Sequence, residues 1–96
     1  MAELIRFDGT TAEVFPSQSG TSFSTDEVRH MLECSSIEHV YLDDDRLMLM
    51  DGESKLRSDY IQRRNGHATT LYRDAGAVPG DFVAGHVLVC TQQEFE

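Results

Sequence analysis

The chain has 96 residues, of which 40% are hydrophobic and 26% are charged. This composition predicts one folded domain rather than a disordered chain or a two-domain enzyme. The formal net charge of −9 argues against binding to duplex DNA or RNA, because that affinity comes mainly from Lys and Arg side chains that neutralise phosphates. No apolar run approaches the ~20 residues that span a bilayer, and "MAELIRFDG" lacks the features of a signal peptide. We therefore expect a cytoplasmic protein with no membrane contact.

The chain begins with a predicted β-hairpin followed by a helix. An Asp-Gly dipeptide at 8–9 separates "ELIRF" from "TAEVF", and this dipeptide favours the tight turn of a hairpin over residues 3–15. Ser24 lies three residues ahead of Glu27, which is the spacing of a capping box. With apolar residues recurring at helical spacing after it, this pattern predicts a helix over 25–34.

A second hairpin, a second helix and a closing strand follow. "IEHVYL" and "RLMLM" flank three consecutive aspartates, which predicts a hairpin over 37–50 with a solvated turn. Asn65 is a good N-cap and Gly76 a good helix terminator, so a helix is predicted over 66–75. The apolar run "DFVAGHVLVC" predicts a strand over 81–90 that is buried on both faces and therefore central.

The predicted order of elements is ββαββαβ, in a single domain over 1–96. Helices and strands alternate too closely for an all-β barrel, and the hairpins are too short for parallel crossovers. The order therefore predicts an α+β fold in which a mixed sheet carries both helices on one face. A β-grasp-like arrangement is compatible with this order, by analogy of fold alone.

A basic segment stands out in this acidic chain. Residues 55–73 hold five basic residues against one acidic residue, a balance of +4, which leaves −13 for the rest. If Asn65 caps the second helix, the first amides of that helix and the neighbouring arginines could bind an anion. The alternative is that the arginines are solvated or pair with the aspartates at 43–45. The candidate ligand-binding residues are Arg63, Arg64, Asn65, Gly66, His67 and Thr69.

Signals for catalysis or metal binding are weak. The chain contains no nucleophile elbow, phosphate-binding loop or zinc-protease motif. His30 and Cys34 lie four residues apart on the first predicted helix, and even with His39 they fall short of the four ligands of a structural zinc site. His86, in the closing strand, is more typical of a hydrogen-bonded sheet residue than of a general base. We predict no catalytic residue, no metal and no cofactor.

The second half resembles family 3846 of the domains of unknown function, whose members are small proteins of bacteria, phages and plasmids. The resemblance rests on "MDGESKLRSDYIQRRNGHATTLYRDAG" and "DFVAGHVLVC", roughly residues 40–90. The chain departs from the family pattern at Ser54, where a glycine is expected, and at 61–63, before the asparagine. The resemblance implies a mobile-element setting and no established activity. Its matched positions are Glu53, Lys55, Leu56, Asn65, Ala68, Thr69, Asp81, Val83 and Gly85.

Two classes of function follow from these observations. The first is a non-enzymatic protein of a phage or mobile element that binds a host protein and modulates or inhibits it, with counter-defence as one such role. Its acidic surface could then mimic the charge of a nucleic acid. The second is a small-ligand binder that sequesters a nucleotide or another phosphorylated signal at the predicted anion site. A small hydrolase ranks last. An exposed sheet edge also makes a homodimer plausible.

Overall fold

The computed structural model describes residues 2–16, 22–43, 45–53, 58–76 and 82–95. Within these ranges the chain forms strands and helices in the predicted order ββαββαβ, so the α+β fold class is confirmed. A short 3₁₀ helix, which was not predicted, follows the last strand. The elements are β1 (Ala2–Ile5), β2 (Thr11–Val14), α1 (Thr25–Leu32), β3 (Ile37–Tyr41), β4 (Arg46–Asp51), α2 (Gly66–Asp74), β5 (Val87–Thr91) and the 3₁₀ helix (Gln92–Glu94).

The five strands form one sheet in the order β2-β1-β5-β4-β3. The closing strand β5 is central, as its continuous apolar sequence predicted. The prediction of a mixed sheet was wrong, because every pairing between the described strands is antiparallel. Strands β1 and β4 do run in the same direction, but β5 lies between them and runs opposite to both. The described strands therefore form no parallel pair, and the parallel bridge between Phe23 and Phe95 lies outside them.

The two helices pack on opposite faces of the sheet, which corrects the prediction that they share one face. Val28 and Leu32 of α1 pack in one apolar cluster with Leu88 of β5. Ala68 of α2 packs in a second cluster with Val87. Consecutive strand residues point to opposite faces, so these clusters lie on the two sides of the sheet. Since β5 is apolar on both sides, each face of the sheet must be shielded from water, and one helix packs on each face.

Local capping interactions form where the sequence predicted them. In the first hairpin, Asp8 Oδ1 accepts hydrogen bonds from the amide and hydroxyl of Thr10 at 3.0 and 2.7 Å, and Gly9 has a φ of 96°. The bonds from Thr10 lower the pKa of Asp8. At the start of α1, the Glu27 amide donates to Ser24 Oγ at 3.1 Å, and the Ser24 amide donates to Glu27 Oε1 at 3.4 Å. The capping box is therefore confirmed.

The closing strand is shorter than the predicted 81–90, since β5 begins only at Val87. Residue 81 lies outside the described residues. Before β5 the chain pairs with the segment ahead of α2, because the Asn65 amide donates to Val83 O at 2.8 Å and the Gly85 amide to Arg63 O at 2.7 Å. Gly85 has a φ of 86°, a left-handed conformation that glycine adopts without strain. This turn separates the two parts of the predicted strand.

The 3₁₀ helix at Gln92–Glu94 has a local signal that the sequence reading missed. The Glu94 amide donates to Thr91 Oγ1 at 3.3 Å, and the Thr91 amide donates to Glu94 Oε1 at 2.9 Å. Thr followed three residues later by Glu is the capping-box pattern, so the sequence alone could have indicated this turn.

Neither helix of the described chain is long and apolar enough to cross a bilayer.

Candidate interaction site

Asn65 is the structural centre of the region that carries the basic cluster. Asn65 is only 1% exposed. Its Nδ2 donates hydrogen bonds to Ile5 O and Gly85 O, both at 3.0 Å, and its Oδ1 accepts from the Ala68 amide at 3.0 Å. Both amide hydrogens and one acceptor site are therefore used within the protein. Asn65 caps α2 as predicted, and it also ties that helix to β1 and to the turn before β5.

Thr69 has a similar internal role. Its hydroxyl donates to Asn65 O at 2.7 Å and accepts from the Val83 amide at 3.0 Å, and the residue is only 3% exposed. Among the candidate ligand-binding residues, Asn65 and Thr69 thus position the backbone around the site. Gly66 and His67, at the start of α2, are exposed.

Arg63 and Arg64 lie over aromatic rings. The guanidinium carbon of Arg63 is 4.6 Å from the centre of the Phe7 ring, and that of Arg64 is 5.2 Å from the centre of the Phe82 ring. Phe82 in turn stacks on Tyr60 with ring centres 6.0 Å apart. Arg63 is half-buried and Arg64 is exposed. The cation–π contacts hold both side chains in defined positions.

The described aspartates of the 43–45 turn form no ion pair with these arginines, while the exposure of Arg64 agrees with the alternative of a solvated side chain. Asp43 instead bonds Arg46 at 2.9 Å, and it also accepts from the amides of Asp45 and Arg46 at 3.0 and 2.9 Å. These bonds lower the pKa of Asp43, with the Asp45 amide as the largest cause. Asp44 lies outside the described residues. No ion pair to Arg63 or Arg64 is found within the described ranges.

His86 also stacks on Phe7. The two ring centres are 5.0 Å apart with an angle of 17° between the planes. The Phe7 amide donates to His86 Nδ1 at 3.4 Å, and His86 Nε2 lies 3.2 Å from Glu33 Oε2. This bonding places the ring proton on Nε2, where it is donated to the carboxylate. Both ring nitrogens are engaged, which fits a structural histidine better than a general base.

Glu33 reaches His86 from an unusual backbone conformation at the end of α1. Its φ of 55° and ψ of 47° are left-handed, which costs a residue other than glycine roughly 1–2 kcal/mol. The Cys34 amide donates to Arg29 O at 3.0 Å and the Glu33 amide to His30 O at 3.3 Å, the bonding of a Schellman-type helix end. The Glu33 side chain therefore links the end of α1 to the end of the sheet.

These contacts define one surface feature, which we name the arginine–aromatic cluster. It consists of two stacks, and Ile61, which follows Tyr60 in the chain and accepts a hydrogen bond at its carbonyl from the Arg64 amide at 3.3 Å, is 64% exposed. Sequence reasoning found the arginines and missed the aromatic residues, because Phe7 is far from Arg63 in the chain and no local pattern links them. The members of the cluster are Phe7, Tyr60, Ile61, Arg63, Arg64 and Phe82.

An open acidic groove runs beside α1, on the face of the sheet that α1 covers. Across the described parts of the chain, no three His, Cys, Asp or Glu side chains converge as they would around a metal ion. Of the two cysteines, Cys34 lines this groove and Cys90 does not. Cys90 is buried in β5, and this burial, with a smaller contribution from the charge of Glu94, raises the pKa of its thiol to about 11. The lining residues of the groove are Asp26, Arg29, His30, Glu33, Cys34, Ser35, Asp51 and Glu53.

Comparisons with family models, curated proteins and solved structures find no match to this chain. The resemblance to family 3846 therefore stays a prediction from the residues quoted above.

Proposed function

We propose that this protein is a non-catalytic binding protein that docks on a partner protein through the arginine–aromatic cluster and modulates or inhibits that partner. The observation that carries the proposal is the placement of Arg63 and Arg64. Both lie on aromatic rings, neither forms an ion pair within the described residues, and the exposed Ile61 lies beside them. Arginine and aromatic side chains of this kind dominate the energetics of protein interfaces.

The stacking geometry supports binding to carboxylates of a partner. A guanidinium that lies over a ring uses its flat face for that contact, while its N–H donors point outward in the plane of the group. Holding the group in place also reduces the entropy that it loses on binding. A partner surface with acidic side chains around a small apolar pocket would match the two arginines and Ile61.

The charge distribution supports a directed encounter with such a partner. The basic segment carries +4 and the rest of the chain −13, and an uneven charge distribution of this kind favours the orientation of a charged partner before contact. The engaged nitrogens of His86 and the raised pKa of Cys90 favour a binding role over catalysis. The resemblance to family 3846 suggests a host protein as the partner, in the cytoplasm of a cell that carries a mobile element.

The test is affinity purification from the native host with the wild type and an Ile61→Asp, Arg64→Glu double variant. Both side chains are exposed, so the variant should fold normally. We expect a partner that co-purifies with the wild type to bind the variant at least about thirtyfold more weakly in calorimetry, the effect of losing one interface hot spot.

Arg29→Glu is the matched control for the arginine substitution, because it makes the same change of charge as Arg64→Glu at an exposed position of α1, outside the cluster. It should leave binding unchanged. Equal recovery of the same partner by the wild type and the double variant would show that the arginine–aromatic cluster is not the docking surface.

A small anionic ligand, such as a nucleotide or a phosphorylated signal, is the second candidate. Gly66 and His67 are exposed at the start of α2, and the first turn of that helix contains no acidic residue. A negative group there would interact favourably with the helix amides and with Arg64.

A thermal-shift screen with nucleotides and with inorganic phosphate tests this candidate. We expect any shift to disappear in Arg64→Glu, whose own stability should stay near that of the wild type because the side chain is exposed. Arg63→Glu is less suitable, since Arg63 is half-buried on Phe7 and its loss should cost about 0.5–1 kcal/mol of stability. The absence of a shift with every anion would eliminate the small-ligand function.

A further inference from the structure

The two outer strands of the sheet differ in how well they are protected. β2 is only four residues long and is followed closely by Pro16. β3 has five residues, with the sequence IEHVY; its one acidic residue is Glu38, and it contains no proline or lysine, two residues that commonly protect an exposed edge. No described segment pairs with its outer side. Ile, Val and Tyr also favour strand pairing.

The register shows which backbone groups β3 presents at this edge. The Leu42 amide donates to Arg46 O and the Gly52 amide donates to Ser36 O, both at 2.9 Å. Antiparallel pairs alternate between hydrogen-bonded and non-hydrogen-bonded, so within β3 the even-numbered residues bond to β4. The amides and carbonyls of Ile37, His39 and Tyr41 therefore point away from the sheet.

The side chains of these three residues lie on the face that α1 covers, because they are paired with β4 residues of that face. The rings of His39 and Tyr41 meet edge to face with centres 5.4 Å apart, and Tyr41 is 56% exposed. Together with Leu47, Gln92 and Phe95 they line a small pocket. At the Tyr41 end of β3, apolar side chains therefore lie beside backbone amides and carbonyls that no described strand pairs with.

The other end of β3 is acidic. Ile37 is paired with Asp51, and Asp51 lines the acidic groove together with Glu33 and Glu53. Arg29, the arginine in this groove, is paired with Asp26 at 3.2 Å. The formal net charge of −9 disfavours a second copy of this chain at this edge, whereas a basic segment would be attracted.

We propose that the outer edge of β3 binds an extended basic segment of a partner protein as an added antiparallel strand. In that pairing, an apolar side chain of the segment lies beside Tyr41 and a basic side chain four positions later lies beside the acidic groove. Four strand residues span about 13 Å, the length of β3 between these two ends. This inference does not depend on the arginine–aromatic cluster, which lies at a different part of the surface.

A fluorescein-labelled peptide Ser-Leu-Thr-Val-Thr-Lys-Ser carries this spacing and serves as the probe. We expect saturable binding in fluorescence anisotropy, and at least about tenfold weaker binding when Glu replaces Lys, the loss expected for an ionic hydrogen bond. His39→Pro should also weaken binding about tenfold, because it removes an outward amide while the bonds from β3 to β4 stay intact. Arg64→Glu should bind the peptide as the wild type does, which separates this site from the proposed docking cluster.

Amide hydrogen exchange measured by NMR on the wild type tests the same inference without any variant. On addition of the peptide, the amides of Ile37, His39 and Tyr41 should exchange more slowly, while those of Glu38 and Val40 should change little because β4 already holds them. The proposal is overturned if the wild type shows no saturable binding, or if the Glu peptide binds equally well. It is also overturned if the outward amides are already protected in the free protein, as they would be in a dimer paired through β3.

Discussion

Asn65→Ala should lower the free energy of unfolding by about 2–4 kcal/mol, because the substitution removes an N-cap and also leaves two buried carbonyls without their donor. The lost bonds are those from Asn65 Nδ2 to Ile5 O and Gly85 O and that from the Ala68 amide to Oδ1. Since the side chain is fully buried, water cannot replace these partners without a local rearrangement. The midpoint of thermal unfolding should fall by at least roughly 10 °C.

Two matched variants identify which bonds cause this loss. Thr70→Ala removes an exposed hydroxyl of the same helix, which donates to Gly66 O at 3.1 Å, and it should change stability by less than about 0.5 kcal/mol. Asn65→Asp keeps the acceptor that caps α2 but turns an oxygen towards the two carbonyls, so it should be at least as destabilising as Asn65→Ala. Denaturant unfolding measures all three. A near-normal stability of Asn65→Asp would mean that the cap alone matters.

Leu88→Ala should lower the free energy of unfolding by about 2–5 kcal/mol, the range for a buried leucine whose removal leaves a cavity. Leu88 is completely buried in the central strand, where it pairs with Leu4 of β1 and Leu49 of β4. These neighbours belong to the sheet itself, so they are poorly placed to move into the vacated space.

Ile61→Ala is the control for this second prediction, because it removes a similar amount of aliphatic side chain at a position that is 64% exposed. Urea unfolding of both variants should show a loss of less than about 0.5 kcal/mol for the control. A loss below about 1 kcal/mol for Leu88→Ala would contradict the placement of this residue in the core.

The same fold that buries Asn65 also places the arginine–aromatic cluster. Asn65 directly follows Arg63 and Arg64, and its bonds to Ile5 O and Gly85 O hold that segment against the ends of β1 and of the turn before β5. Phe7 lies just beyond β1 and Phe82 lies ahead of that turn. The internal role of Asn65 thus explains how two adjacent arginines come to lie over two rings that are distant in sequence.

Predictions that depend on nearby residues agree well with the structure. The capping box of α1 needs only Ser24 and Glu27, and the first hairpin turn needs only Asp8, Gly9 and Thr10. The continuous apolar sequence of β5 was enough to predict a central strand. The two turns form through interactions between residues a few positions apart. The central strand is recognisable because a strand that is buried on both faces has a continuous apolar sequence.

The positions of the helices and the surroundings of the arginines were decided by tertiary packing. The sequence indicated that α1 and α2 each bury one face, but only the packing against the two apolar faces of the sheet placed them on opposite sides of it. Likewise, Asn65 was predicted as a local cap, while its bond to Ile5 O spans 60 positions. Residues so far apart leave no periodic pattern, because their contact depends on how the whole chain packs.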